Sequence, residues 1–288
     1  MTTVRVLRTA KATLSRVFYL DEVETLPTGS VGVSVARLNG LVVESGTASG
    51  PGVNGAFSYT FGGSEVLDEL IVTWTLTLGG DAMVLDQDTI EVVGGFYFGL
   101  AEGRDVAPEL ANAQRYPTAK LVSARMETET ECERITGQAW VPRFRRVAVS
   151  GAGRAYVVLP DTMIRSVRAV TVAGTAYDPS AVLALSFSDV GLLSLPSGVW
   201  PLGSRNVVVE YEHGHDRPNA DILRAAKLRF KGLVLEGTAS LPDRAERTVT
   251  VDAQGGSIVY GSPTAEKTGI PAVDAVYGRW GDPRPGFG

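Results

Sequence analysis

The sequence predicts a multidomain α+β chain. A β-sandwich comes first, then a small core of three helices that carries a β-rich insertion, then an extended C-terminal arm. Three observations predict it. Short apolar runs, each closed by turn residues, fill the N-terminal third. The period then changes from two to three and four over a pair of segments. The strand pattern returns before one more helical segment and a Gly-, Ser- and Pro-rich tail.

From about Thr13 to Val93 the runs TLSRVFYLD, VGVSVARL, LVVESGTA, AFSYTF, ELIVTWTLTL and MVLDQDTIEVV are rich in Val, Thr, Leu and aromatics. PTGS, Asn39-Gly40, SGPGVNG, GGSE and LGGD punctuate them, and Asn-Gly between two such runs is a strong hairpin signal. In the fifth run Leu70, Val72, Trp74, Leu76 and Leu78 share a face. About seven short strands without helices predict an immunoglobulin-like sandwich over 1–94. Trp74 is expected in its core, and Phe57, Tyr59 and Phe61 alternate onto one face in the same way.

GGFYFGLAEG reads as a linker, and 95–145 as a linker followed by two helices. Asp105 is placed to cap a helix over VAPELANAQR, with Pro108 in its first turn. Pro117 ends that helix, and AKLVSARMETETECERIT forms the next, closed by Gly137. Its inner side carries Leu121, Ala124, Thr128, Cys132 and Ile135. Glu127, Glu129, Glu131 and Glu133 spread over the rest as a solvated or partner-facing surface, because alternate helix positions face different ways.

The strand pattern resumes over 146–213, with Gly151-Ala152-Gly153 read as a hairpin turn. The third helix, within 214–240, runs from about Asn219 to Gly237, with Ile222, Ala226, Phe230, Leu233 and Gly237 inward; Asp216 or Asn219 caps it and Pro218 starts it. The arm, 241–288, holds two strand-like runs and TGIPAVDAVYGRW. In that last segment Ile270, Val273, Val276, Tyr277 and Trp280 make one apolar stripe.

Composition narrows the function. Of 288 residues, 44% are hydrophobic and 20% charged, enough apolar matter for packed cores. A net charge of -5 argues against gripping nucleic acid over a broad face. The single cysteine, Cys132, excludes an intrachain disulfide and fits folding in a reducing compartment. With no signal-peptide pattern and no long apolar run, a soluble protein made in a cytoplasm is expected.

Motifs of catalysis are missing: the sequence has no G-x-S-x-G, P-loop, H-E-x-x-H or C-x-x-C. His213 and His215, with Glu210, Glu212 and Asp216, offer a conceivable metal site but no third ligand from elsewhere, so a strand-to-helix turn is the plainer reading. Cys132 among glutamates is a poor nucleophile. No enzyme, no cofactor and no metal are expected. Arg143, Arg145 and Arg146 are the densest positive charge and read either as a contact with DNA phosphate or an acidic partner, or as a solvated loop.

The order of parts carries a resemblance. Two helices end in ITGQAWVPR. A strand-rich stretch follows, then VVVEYEHGHDRPNADILRAAKLRF with its Tyr-x-His-Gly turn, and the chain closes on TGIPAVDAVYGRW. From about Gly95 onward this resembles the head-to-tail connector (adaptor) proteins of tailed bacteriophages, especially those of actinobacteria. The resemblance implies a structural virion protein, assembled in the host cytoplasm and located in the neck. It would form a ring, commonly twelve-fold, beneath the portal protein, receive a stopper or tail-terminator protein on the other side, and line a channel that DNA passes without specific binding; no membrane is involved. It also implies that the arm docks on the portal or a neighbouring subunit. Ile270, Pro271, Val273, Asp274, Val276, Tyr277 and Trp280 are the expected docking residues, and Leu121, Arg125, Thr128, Cys132 and Ile135 the expected contact between copies. The competing expectation is a module whose sandwich binds a glycan or a host surface.

Overall fold

The computed structural model describes residues 2–20, 23–24, 29–78, 81–235, 245–251, 255–260 and 267–281. In chain order the first strands are β1 (Thr3–Leu7), β2 (Ala12–Arg16), β3 (Tyr19–Leu20), β4 (Val23–Glu24), β5 (Ser30–Arg37), β6 (Val42–Thr47), β7 (Phe57–Phe61), β8 (Asp68–Leu78) and β9 (Asp81–Val93). Two helices follow, α1 (Leu100–Arg104) and α2 (Thr118–Thr136). Next come β10 (Arg143–Gly151), β11 (Tyr156–Val158), β12 (Ile164–Val172), β13 (Thr175–Ala176), α3 (Pro179–Leu183), β14 (Ser186–Phe187), β15 (Leu192–Ser194) and β16 (Gly203–His213). The chain continues with α4 (Ala220–Leu235), β17 (Ala245–Val251), β18 (Gly255–Tyr260) and α5 (Pro271–Trp280). The fold is α+β, mostly sheet. The expected end of the third helix at Gly237 and the turns at PTGS and LGGD fall, wholly or in part, outside the described residues.

The chain divides into two compact units. The first comprises Met1–Gly95, Pro142–Leu159 and Ile164–His213. Its N-terminal part holds a five-stranded sheet in the order β1-β9-β8-β5-β6 and a two-stranded sheet β2-β7. Alternation along β5, β7 and β8 sends Val31, Val33, Val35, Phe57, Phe61, Leu70, Val72 and Trp74 into one core shared by the two sheets. Trp74 is fully buried and donates its indole N–H to Asp88 Oδ2 at 3.0 Å, so its polar edge is satisfied where its ring is packed. β1 pairs in parallel with β9, from Thr3 opposite Thr89 to Leu7 opposite Val93.

The second half of this unit is built around β16, which pairs antiparallel with β10 on one side and β12 on the other. A smaller sheet, β11-β15-β14, shares its core through Val157, Leu193, Trp200, Val207 and Tyr211. The hairpin expected at Gly151-Ala152-Gly153 is corrected: β10 pairs with β16 and β11 with β15. Gly151 lies where a Cβ would stand 2.0 Å from the Pro201 carbonyl oxygen, so its role is close backbone approach.

An ion-pair cluster lies in this unit at the start of β8. Asp68, 3% exposed, sits between Arg37 (3.1 Å) and Arg168 (3.5 Å). Arg168 also reaches Glu212 at 3.0 Å, donates to the Leu67 carbonyl and lies over the Phe144 ring. Burial pushes the Asp68 carboxyl upward, against the pull of Arg168 and Arg37.

The second unit comprises Phe96–Val141, Pro160–Met163 and Gly214–Gly288. Its core is formed by α1, α2, α4 and α5 with the aromatic segment Tyr97-Phe98. This corrects the three-helix expectation: α5 joins the core and α1 arises inside the segment read as a linker. Asp105 is corrected as well. It closes α1, with its N–H on the Ala101 carbonyl, and Pro108–Ala111 after it is only a 3-10 turn. Gly137 ends α2 at φ 67 with its N–H on the Glu133 carbonyl, and Asn219 Oδ1 accepts the Ile222 N–H at 2.9 Å to cap α4, both as the sequence suggests.

Candidate functional site

The candidate sites that the sequence nominates are surfaces, and the C-terminal helix comes first. Thr268 starts α5 through its side chain and that of Asp274: the Thr268 N–H and hydroxyl both donate to Asp274 Oδ1, at 2.7 and 2.8 Å, and the Ile270 N–H donates to Thr268 Oγ1 at 3.1 Å. Pro271 occupies the first turn, where its missing N–H costs nothing. The helix so placed sends Ile270, Val273 and Tyr277 into the core against α2 and α4, each 3% exposed or less. Burying three side chains of this size favours the arrangement by about 1.5–3 kcal/mol each. The expectation that these three seat on another molecule is therefore corrected: the groove between α2 and α4 of the same chain already covers them. Pro271 and Trp280 stay exposed, and Asp274 and Val276 are half-buried.

The face of α2 expected between copies is corrected for the same reason. Leu121, Thr128 and Cys132 are fully buried, Arg125 is 7% exposed, and Ile135 packs against the same core. The helix has too few apolar residues to look like a core helix, and buried polar bonds make up the difference. Thr128 and Thr136 donate back to the Ala124 and Cys132 carbonyls, both at 2.8 Å. Arg125 lies 3.5 Å from the centroid of the Phe96 ring and donates to the Phe98 carbonyl. The glutamates are corrected too. Glu129 is fully buried and accepts the Tyr97 N–H at 2.9 Å; Glu131 holds Arg229 with two bonds, at 2.5 and 3.2 Å. Only Glu127 of the four is exposed.

Cys132 is raised to about 12, first by burial and then by Glu133, while Tyr97, Tyr277 and Thr136 pull the other way. The Tyr277 hydroxyl lies against this thiol, a weak partner, and is otherwise without a hydrogen bond among the described residues; burial pushes its own ionisation far upward.

The three segments that carry the resemblance meet at one place in this unit. The Trp140 ring stacks on His215 at 4.6 Å and 11°, and Trp280 stands edge-on to Trp140 at 5.8 Å. Trp140 donates its indole N–H to Thr136 Oγ1 at 3.1 Å. Gln138 joins the other two segments: its Oε1 lies 3.2 Å from His215 Nε2, and its Nε2 donates to the Trp280 carbonyl at 3.1 Å. The backbone of His215 donates to the Ala139 carbonyl. Gly214, at φ 99, leaves no room beside Val141 and Ala139, where a Cβ would come within 2.6 Å of the Val141 oxygen. His213, on β16, is tilted against Tyr211. Among the described residues no three His, Cys, Asp or Glu side chains are grouped to hold a metal ion.

Of the three arginines, Arg143 is corrected: it is buried on β10, opposite His213 in the ladder. Arg145 and Arg146 are exposed, Arg146 paired with Glu210 at 3.2 Å. No helix among the described residues is long and apolar enough to cross a membrane. The chain matches no protein-family model, and no curated protein is similar to it in sequence.

Proposed function

We propose that this chain is a structural virion protein, a head-to-tail adaptor that forms a ring between the portal and the first tail proteins of a tailed bacteriophage. The observation that carries the reading is the packing of Gln138 and Trp140, His215, and Trp280 into one cluster. Three sequence pieces far apart in the chain, each resembling a piece of the adaptor family, serve a single local structure, as expected if they were inherited together. The strand order of the N-terminal part supports an immunoglobulin-like assignment, with β9-β8-β5 as the G-F-C sheet, β6 as an added C′ strand, and β2-β7 as the facing B-E pair. A net charge of -5 per copy suits a channel wall past which DNA slides without being held.

The glycan-binding alternative needs exposed aromatics on the sandwich. Phe57, Tyr59, Phe61 and Trp74 are all core residues, which removes the candidates it had. Gold-labelled antibody raised against residues 1–94 tests the proposal on purified tailed particles. Label at the head–tail junction is the expected result; label confined to the tail tip, or none on intact and opened particles, overturns it.

A further inference from the structure

We infer that the apex of the insertion, where the β10–β11, β12–β13 and β15–β16 connections meet, is a docking surface for another protein whose contact face is acidic around an apolar pocket. The backbone draws the three connections together. The Gly153 N–H donates to the Trp200 carbonyl at 3.1 Å, and the Trp200 N–H to the Arg154 carbonyl at 2.8 Å. The Ala173 N–H donates to the Asn206 carbonyl at 2.8 Å, and the Asn206 side chain bridges the Gly151 N–H and the Pro201 carbonyl. Trp200 is fully buried, so the loops rest on the insertion's own core. From this footing apolar side chains are held out in water: Leu202 is 84% exposed, Val199 58% and Tyr156 38%. One such side chain on a surface is ordinary, whereas three on one apex mark a contact.

Charge selects the occupant. Arg154 and Arg205 are exposed on the same apex, Arg154 lying over the Tyr156 ring and donating to its hydroxyl at 3.0 Å. The stretches SGAGRAY, AGT and LPSGVWPLGSRN hold no Asp or Glu, in a chain where 32 acidic residues outnumber 27 basic ones. Arg205 has a φ of 49, in the left-handed region where glycine is at ease, with its N–H on Ser150 Oγ at 3.0 Å. An arginine kept where the backbone is strained points to work for its side chain. An aliphatic knob rimmed by arginines is the anatomy of a protein hot spot, and it fits a pocket bordered by carboxylates. A bilayer is the poorer fit. Leu202 and Val199 together offer fewer carbons than one myristoyl chain, which itself anchors only marginally, and two arginines add little attraction to anionic lipid. The inference does not depend on the virion reading.

A random peptide library displayed on ribosomes tests it, selected on the full-length protein and depleted on a variant carrying Leu202→Asp, Arg154→Glu and Arg205→Glu. The selected peptides are expected to be rich in Asp and Glu beside aliphatic or aromatic residues, and to bind less tightly as salt is raised. Their affinity should fall by at least about tenfold on Leu202→Asp alone and on the arginine pair alone. Arg205→Gly eases the backbone while removing the charge, so a loss of about threefold or more on that variant cannot come from misfolding. Peptides without an acidic excess, peptides held equally by the parent and these variants, or no apex-dependent peptide at all would each overturn it. So would flotation of the protein with phosphatidylglycerol vesicles that Leu202→Asp abolishes, which makes the occupant a membrane. Self-association of the full-length protein that is lost with Leu202→Asp overturns it too, since the occupant is then a second copy.

Discussion

Truncating Tyr277 asks whether α5 belongs to the core of its own chain. Its side chain is fully buried among α2, α4 and the Cys132 thiol. Cutting a buried aromatic to alanine removes its transfer free energy and leaves a cavity that the helices fill only in part, a cost of about 3–5 kcal/mol. Tyr277→Phe removes only a hydroxyl with a weak partner, and the change is expected within about 1 kcal/mol of the parent in either direction. Urea unfolding followed by far-UV circular dichroism, which reports mainly on the helices, separates the two. At a slope of about 2 kcal/mol per molar, the midpoint of Tyr277→Ala falls by about 2 M and that of Tyr277→Phe barely moves. If the alanine variant unfolds at the parental midpoint, α5 is not packed on its own chain in solution. The groove between α2 and α4 would then be filled by something else.

Four further outcomes follow from the geometry. Cys132, buried and raised to about 12, should not react with a thiol reagent at neutral pH until the helical unit opens, and a chain ending at Lys267 should react at once. Arg229→Leu should cost about 3–5 kcal/mol by leaving Glu131 without its partner, and adding Glu131→Leu should recover most of it; a cycle with no coupling refutes the pair. Gly214→Ala should lose at least about 2 kcal/mol, read in the same unfolding assay, because its φ of 99 and the Val141 oxygen both oppose a side chain. Asp86 is raised by burial but lowered further by the Arg16 hydrogen bond, the Gln87 N–H and the Arg16 charge, so its folded value lies below its unfolded one. Its contribution is complete above the unfolded carboxylate range of about 3.9 and fades as pH falls through the folded value; acid unfolding of Asp86→Asn should be less steep there than the parent's.

Much of the fold could be read because local signals and tertiary packing agree. The alternation in β5, β7 and β8 reports the buried face directly, and Asn219 and Gly137 mark helix ends by their own bonds. β1 could not be read: TVRVL is short, and its partner strand lies some eighty residues away in the chain. Asp105 misled because a residue that can start a helix can also stand just past the end of one. The surfaces misled for a more general reason. Spacing shows that α5 and α2 each have a face to bury, but not whose groove receives it. Glu129, Arg125 and Thr128 made α2 look too polar for a core, since a sequence does not display the Tyr97 N–H, the Phe96 ring and the Ala124 carbonyl that satisfy them. One signal was present: Trp140, His215 and Trp280 stand in the three segments that carried the resemblance, and aromatics that recur in such segments are candidates for mutual packing.

The account rests most heavily on rotational assembly by a chain whose helical core is complete in each copy. Electron cryo-microscopy of the assembled protein, alone or templated on a portal ring, measures this directly. The expected result is a closed ring around a channel, with α5 of every copy in the groove of its own α2 and α4. Open filaments, isolated single copies, or a ring whose α5 helices leave their own cores would contradict it.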